Sequence, residues 1–412
     1  MKPNKAFPLS RSTGNMIVCV LGVFAVFILL EVSWTRYEYV KSSVCRIVEK
    51  SGLTPSGYFT SQQGWTCVDR LAHKYNRVED IFCVVLPKFL PHLKNPCIYE
   101  NTISKNISLR CLPYFYIIGM DKCGSTDLHN RLVQHPFVMG NKGDVGKETY
   151  FWSWLRYGIY NRKPYQRNLS LDDYLDMFDN TAEMINQTNI TTIITGDATP
   201  MDLWDFRSWR KIPQNFGKVE PEVLTPHLLK YIHGERPPKF LIQFREPIER
   251  LYSDYIFLRY GKTPEQFHNR SLQAIKMMNA CLGNYTTRQC YFSDSLYHQL
   301  PVRIHLGCYS VFLQEWFHVF PRNYFLITTM DEYQDDMENT LKKVFTFLDL
   351  PSLPESKMAK IINQTRRRVT KRKHGVVLPE TAKALRQFYD TCNKNTADLL
   401  NDDRFLWLNH YL

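Results

Sequence analysis

The stretch 121-DKCGSTD-127 carries the groups needed to hold an anion. Lys122 supplies a point charge, and Gly124 lets the main chain approach a ligand closely. Ser125 and Thr126 add hydroxyl donors. An apolar run precedes the stretch and a helical pattern follows it. Free N–H groups and the positive end of a helix dipole therefore fall at the same place. A plain strand-to-helix turn with Ser125 or Thr126 as N-cap would look the same. The spacing GxxxxGK[ST] is absent, which disfavours a nucleotide kinase. Other polar groups follow apolar runs in the same way. Arg245-Glu246-Pro247, with Arg250 and Ser253 beyond it, ends one run, and Gly196-Asp197-Ala198-Thr199-Pro200 ends another. Asp197 could orient a substrate or brace a loop. Lys147-Glu148 reads locally as a surface ion pair. The basic run 366-RRRVTKRKHG-375 reads as a solvated face or as contacts for an anion. Trp152, Trp154 and Trp204 could stack on sugar rings, although core aromatics are commoner.

The elements that must position these residues are legible as short apolar and β-branched runs. They are 114-YFYIIGM-120, 190-ITTIIT-195, 239-KFLIQF-244 and 323-NYFLITT-329. Helical patterns follow from Leu128, from Arg245 and from Met337. Strands alternating with helices predict an α/β fold, a parallel sheet with helices on both faces. Ligands of such sheets bind beyond the C-terminal ends of the strands, where every polar motif above falls.

The N-terminal region sets the compartment. The run 16-MIVCVLGVFAVFILL-30 is apolar and is preceded by Lys2, Lys5 and Arg11 without an acidic residue. This pattern predicts a cytoplasmic tail over 1–15, a transmembrane signal anchor over 16–34 and a lumenal remainder. A cleaved signal peptide is the alternative, but no small-x-small site follows. Seven N-x-[ST] sequons support a secretory chain, at Asn106, Asn168, Asn186, Asn189, Asn269, Asn284 and Asn363. So do 11 cysteines without a CxxC pair, which fit disulfides better than zinc. Cys281 and Cys290 are close enough to close a local loop. If Cys123 stays reduced, nine lumenal cysteines remain, so at least one is free or pairs between two chains as a homodimer would require. Residues 35–112, with five spaced cysteines and Pro87, Pro91 and Pro96, read as a stem or a small disulfide-stapled cap before a domain over 113–412. The formal net charge of +12 favours acidic partners. A lumenal location excludes nucleic acid and leaves a nucleotide and an anionic glycan.

The set as a whole resembles the carbohydrate sulfotransferase family over roughly residues 110–412. Lys122-Cys123-Gly124-Ser125-Thr126 is similar to that family's 5′-phosphosulfate loop, PK-[SC]-G-[TS]-[TS], with Asp121 where a proline is usual. Arg245-Glu246-Pro247, Arg250 and Ser253 resemble its 3′-phosphate segment. 147-KETYFW-152, 196-GDATP-200 and 402-DDRFLWLN-409 are similar to further family segments. The resemblance implies a P-loop-like three-layer sandwich. It implies 3′-phosphoadenosine 5′-phosphosulfate (PAPS) as donor, without a metal. Arg245 and Ser253 would hold the 3′-phosphate, and Lys122 would stabilise the leaving phosphate. Glu148 would be the general base that a poorly nucleophilic sugar hydroxyl requires. Lys371, Arg372, Lys373, His374 and Gly375 would cover the nucleotide. Lys147, Asp197, Arg366 and Arg367 are the candidates for the acceptor. That acceptor would be a glycosaminoglycan, at O6 of a 4-sulfated N-acetylgalactosamine in chondroitin or dermatan sulfate, and the enzyme would sit in the Golgi membrane through one helix. Heparan sulfate or another glycan is the alternative acceptor. A non-catalytic lumenal glycan-binding protein on the same fold is the alternative of another class.

Overall fold

The computed structural model describes residues 65–72, 74, 77–85, 88–101, 107–159, 167–365 and 375–408. The expected membrane run, Cys45, Asn106 and residues 366–374 lie outside them. Among the described residues no helix is long and apolar enough to cross a membrane. The chain divides into Met1–Gln62 and a compact unit, Gln63–Leu412. The described residues all belong to the second.

Among the described residues seven strands form in chain order: β1 Cys97–Asn101, β2 Ile107–Cys111, β3 Phe115–Gly119, β4 Val138–Met139, β5 Ile194–Asp197, β6 Lys239–Phe244 and β7 Phe325–Thr329. The principal helices are α1 Ser125–Leu132, α2 Pro247–Phe257, α3 Pro264–Leu282, α4 Tyr309–Phe317, α5 Met337–Phe347 and α6 Pro379–Leu400. β4, β5, β3, β6 and β7 lie side by side in that order, and every pairing is parallel. β1 and β2 form a separate antiparallel hairpin.

β3 is buried along its whole length, which explains its unbroken apolar sequence. Alternate residues face opposite sides. Phe115 and Ile117 join Leu128 and Leu132 of α1 and Leu341, Val344 and Phe345 of α5 in one cluster. Tyr116 and Ile118 join Leu251, Tyr255, Phe312 and Trp316 of α2 and α4 in another. The sheet is thus covered on both faces, as expected. Each fully buried leucine contributes about 1.5–3 kcal/mol, so Leu132→Ala would cost ~2–5 kcal/mol. β5 starts four residues later than the run ITTIIT suggests. Asn189, at φ +55°, ends the preceding helix, and Ile190 is exposed. Only Ile193 onward reaches the interior.

The described residues between 65 and 111, read as part of the stem, pack on the same body, with Val78, Ile81 and Phe82 in its core. Disulfides join Cys67 to Cys83 and Cys97 to Cys111. Arg236 donates to the carbonyls of Leu90, Leu93, Lys94 and Asn95. Cys281 pairs with Cys290, and Cys308 pairs with Cys392. Cys123 is free and buried. Every cysteine among the described residues is thus either paired or, at Cys123, free, and Cys19 and Cys45 lie outside them. The sequon asparagines Asn186, Asn189, Asn269, Asn284 and Asn363 are exposed, and Asn168 is half-buried.

Candidate active site

The turn after β3 has an unusual backbone. Lys122 and Gly124 both adopt positive φ, +67° and +89°. A lysine there is strained, a condition that concentrates at functional sites. Gly124 is the N-cap of α1, and no side chain caps that end. Ser125 and Thr126 occupy its first turn, so their N–H groups face the open end of the helix. The Lys122 Nζ rests 3.6 Å from the Phe257 ring centroid at the end of α2, and Phe257 is 54% exposed. Cys123, also expected in the donor loop, faces the interior. Its thiol is fully buried, and burial pushes it up to about 12. Its N–H is turned inward to the Met120 carbonyl at 3.3 Å.

Asp121, which stands in place of the usual proline, is tied down by an ion pair. Its Oδ2 lies 3.0 Å from Arg303 Nη1. Burial raises its carboxyl above the ordinary value, against the pull of Arg303. Arg303 also bonds both oxygens of Asp254. Burial would raise Asp254 as well, but Arg303 and Arg250 overcome it and hold it below the ordinary value.

The next strand, β6, ends at Phe244 and is followed by Arg245. Its Nη2 donates to Glu249 Oε2 at 2.8 Å, and its carbonyl accepts from Tyr309 OH at 2.6 Å. Glu246 caps α2 by accepting from Glu249 N–H at 2.7 Å. Ser253 lies two turns into that helix and is buried. The neighbouring Tyr252 OH donates to the Gly375 carbonyl at 3.1 Å. Gly375, at φ +83°, thereby brings the end of the basic run to this helix. Lys371, Arg372, Lys373, His374, Arg366 and Arg367 lie outside the described residues. Gln243 of β6 sits beside the Lys122 turn. Its Oε1 is 3.4 Å from the place a Cβ on Gly124 would take. Its amide is fully buried, and neither polar atom has a hydrogen-bond partner. An orphaned buried amide against an open helix end is the environment a phosphate would complete.

The Glu148 loop is attached to the end of β5, where Ala198 N–H donates to the Lys147 carbonyl at 3.1 Å. Both carboxylate oxygens of Glu148 are engaged, one by Lys147 Nζ and the other by Tyr150 OH. Lys147 is buried, so this is not the surface pair its sequence suggests. Burial lowers its ammonium, against the pull of Glu148. Tyr150 is held at φ +54° and stacks on Trp154 with centroids 5.2 Å apart. Asp197 is fully buried and braces this loop. It accepts from Thr149 Oγ1 at 2.5 Å, Thr199 Oγ1 at 2.7 Å and Tyr174 OH at 3.1 Å. Bracing, not contact with substrate, is therefore its geometry. Burial raises it despite these donors. Trp152 and Trp204 are core residues, and only Trp154 is partly open.

The Lys122 turn, Arg245, Ser253, Gly375 and Glu148 thus gather at the C-terminal ends of β5, β3 and β6. Arg303, Gln243 and Tyr150 escaped the sequence reading. Tyr150 lies within KETYFW and carried a signal, whereas Arg303 is a single arginine in PVRIHLG with none.

Residues 112–392 match the family model described as sulfotransferase domain. The carbohydrate sulfotransferase 15 of Homo sapiens is 34% identical, covering 79% of this chain and 67% of that protein. Its Mus musculus counterpart is 33% identical over the same shares. Among solved structures, a sulfotransferase from Alicyclobacillus acidocaldarius is similar with a TM-score of 0.44 at 16% identity, covering 73% of this chain and 99% of that one.

Proposed function

The chain belongs to the carbohydrate sulfotransferase family and is an enzyme that transfers sulfate to a carbohydrate, and we propose that it takes the sulfate from PAPS and places it on a glycosaminoglycan hydroxyl. The observation that carries this reading is the meeting of an open, strained anion turn at Lys122 with a restrained carboxylate at Glu148, on neighbouring strand ends. The turn's N–H groups, Ser125, Thr126 and the orphaned Gln243 amide suit the 5′-phosphate end of the donor. Arg245, Ser253 and the residues leading to Gly375 suit its 3′-phosphate.

In the reaction Glu148 accepts the proton of the attacking hydroxyl as the new oxygen–sulfur bond forms. The bond from sulfur to the bridging phosphate oxygen breaks. Lys122 leaves the Phe257 face and neutralises the charge left on that oxygen. Lys147 and Tyr150 hold the Glu148 carboxylate in place. Basic side chains and a helix end neutralise the phosphates, so no metal is required. Activity in the presence of a chelator tests that point.

The acceptor reading rests on overall likeness, not on any one motif: O6 of 4-sulfated N-acetylgalactosamine in chondroitin or dermatan sulfate. Lys147 is buried and Asp197 braces a loop, so Arg366, Arg367 and the partly open Trp154 are the better candidates to meet the polymer. Four disulfides and exposed sequons support an oxidising lumen. They accord with a Golgi enzyme held by an anchor at 16–34, with a short tail over 1–15. Incubation with labelled PAPS and a glycosaminoglycan panel, followed by disaccharide analysis, tests the reading. Label in 4,6-disulfated N-acetylgalactosamine units is expected. Label in heparan sulfate alone would move the acceptor, and no label in any member of the panel would overturn the glycosaminoglycan reading.

A further inference from the structure

Under this reading two elements grip opposite ends of one nucleotide, and a single side chain is bonded to both. Arg303 is the N-cap residue of the short helical segment Ile304–Gly307. Its Nη1 meets Asp121 Oδ2 at 3.0 Å, and Asp121 immediately precedes Lys122. Its Nε donates to Asp254 Oδ2 at 2.8 Å and its Nη2 to the other oxygen, and Asp254 immediately follows Ser253. The Arg303 carbonyl accepts from Arg250 Nη2 at 2.9 Å, one turn back on the same helix. Asp121 and Arg303 are only 9% and 7% exposed, and Asp254 and Arg250 are fully buried.

A guanidinium is a rigid planar fork. Two carboxylates bonded to one fork are held at a set separation, and the residues next to them follow. We propose that Arg303 is a positioning residue of the donor site, holding the Lys122 turn and the Ser253 helix at the spacing that a nucleotide with both 3′- and 5′-phosphates requires. The inference rests on the donor reading above and goes beyond it. Two grips at the right distance engage one ligand as a chelate, the second contact following at high effective concentration. If the spacing loosens, each grip survives while the chelate advantage falls. This also accounts for Asp121. In place of a proline that stiffens the turn locally, the chain ties the turn to the second grip.

The test uses the full chain and three ligands: adenosine 3′,5′-bisphosphate, adenosine 5′-phosphate and adenosine 3′-phosphate. Dissociation constants are measured by calorimetry for the wild type, Arg303→Lys and Asp121→Asn, after thermal melting has established that each is folded. Lysine keeps the charge but cannot grip both carboxylates. Asp121→Asn frees only the turn, and it serves if Arg303→Lys does not fold. Bisphosphate affinity is expected to fall about tenfold or more, with each monophosphate changing by less than about threefold. Equal losses for all three ligands would make Arg303 a support of the fold alone and overturn the proposal, as would no loss at all. A wild type that binds the bisphosphate no better than the monophosphates would be a different result, for it would remove the donor reading itself.

Discussion

The Lys122 turn leaves β3, the Glu148 loop follows β4 and is docked on the end of β5 beside it, and each rests on a buried carboxylate. Beneath the turn, Asp121 is ion-paired to Arg303, which is paired in turn to Asp254. Beneath the loop, Asp197 is surrounded by the hydroxyls of Thr149, Thr199 and Tyr174. That second network continues inward without a full charge, since the Tyr174 and Tyr116 hydroxyls lie 3.3 Å apart and Tyr116 pairs with His233 Nε2 at 3.0 Å. Under the proposed function the difference suits two tasks. The turn must hold its shape against an anionic ligand, and a buried ion-pair network with good geometry resists that load. The loop must keep a carboxylate oriented, and the neutral hydroxyls around Asp197 fix its shape without a second buried ion pair beneath it.

The contrast can be broken most severely at the reacting groups. Glu148→Gln is expected to lower turnover by about 10²–10⁴-fold, the usual worth of a general base, with desulfated-nucleotide affinity nearly unchanged. Near-normal turnover in that variant would give the proton to another group. Lys122→Ala should lower turnover by about 10²-fold or more and weaken nucleotide binding as well. Separate assays of turnover and nucleotide affinity distinguish it from the first variant, and unchanged kinetics would remove the turn from the mechanism.

Smaller changes sharpen the comparison. Asp197→Asn keeps the shape of the brace but cannot accept from all its hydroxyls. It should lower kcat by about tenfold through misplacement of Glu148 and leave nucleotide affinity alone. A loss confined to nucleotide binding would mean that the two networks are not separate. The smallest effect is one of stability. Burial lowers His233 to about 3. As pH falls below about 6.5, the unfolded chain takes up a proton that the native histidine refuses. The native state then loses up to ~1.4 kcal/mol per pH unit until about pH 3. His233→Gln should make the fall of stability between pH 6.5 and 5 shallower by about that slope, measured by denaturant unfolding at each pH. An unchanged slope would show that His233 is protonated in the fold.

The sheet was readable because burial on both faces forces continuous apolar runs, and β6 begins and ends where KFLIQF does. β5 was misplaced at its start because β-branched residues continue into an exposed turn, and periodicity alone cannot tell a turn from a strand end. Lys122, Glu148, Arg245 and Ser253 were legible through their motifs. Arg303 was not, because its partners are 49 and 182 positions away (303 − 254 and 303 − 121) and only folding brings them together. Tyr150 stood in plain sight but had no assigned task until its hydroxyl was seen on Glu148.

The Cys308–Cys392 bond spans 84 residues and fastens α6 to the N-terminal end of α4. By chain-entropy reasoning a closure of this length is worth about 4–5 kcal/mol. It has a second consequence, for covalent continuity. The basic stretch 366–374 carries the lysines and arginines that trypsin-like proteases cut, and everything after it is fastened elsewhere. A chain nicked in that stretch would keep its C-terminal helix, and Gly375 with it, as one molecule. It would separate into two fragments only when a reductant opened the bond.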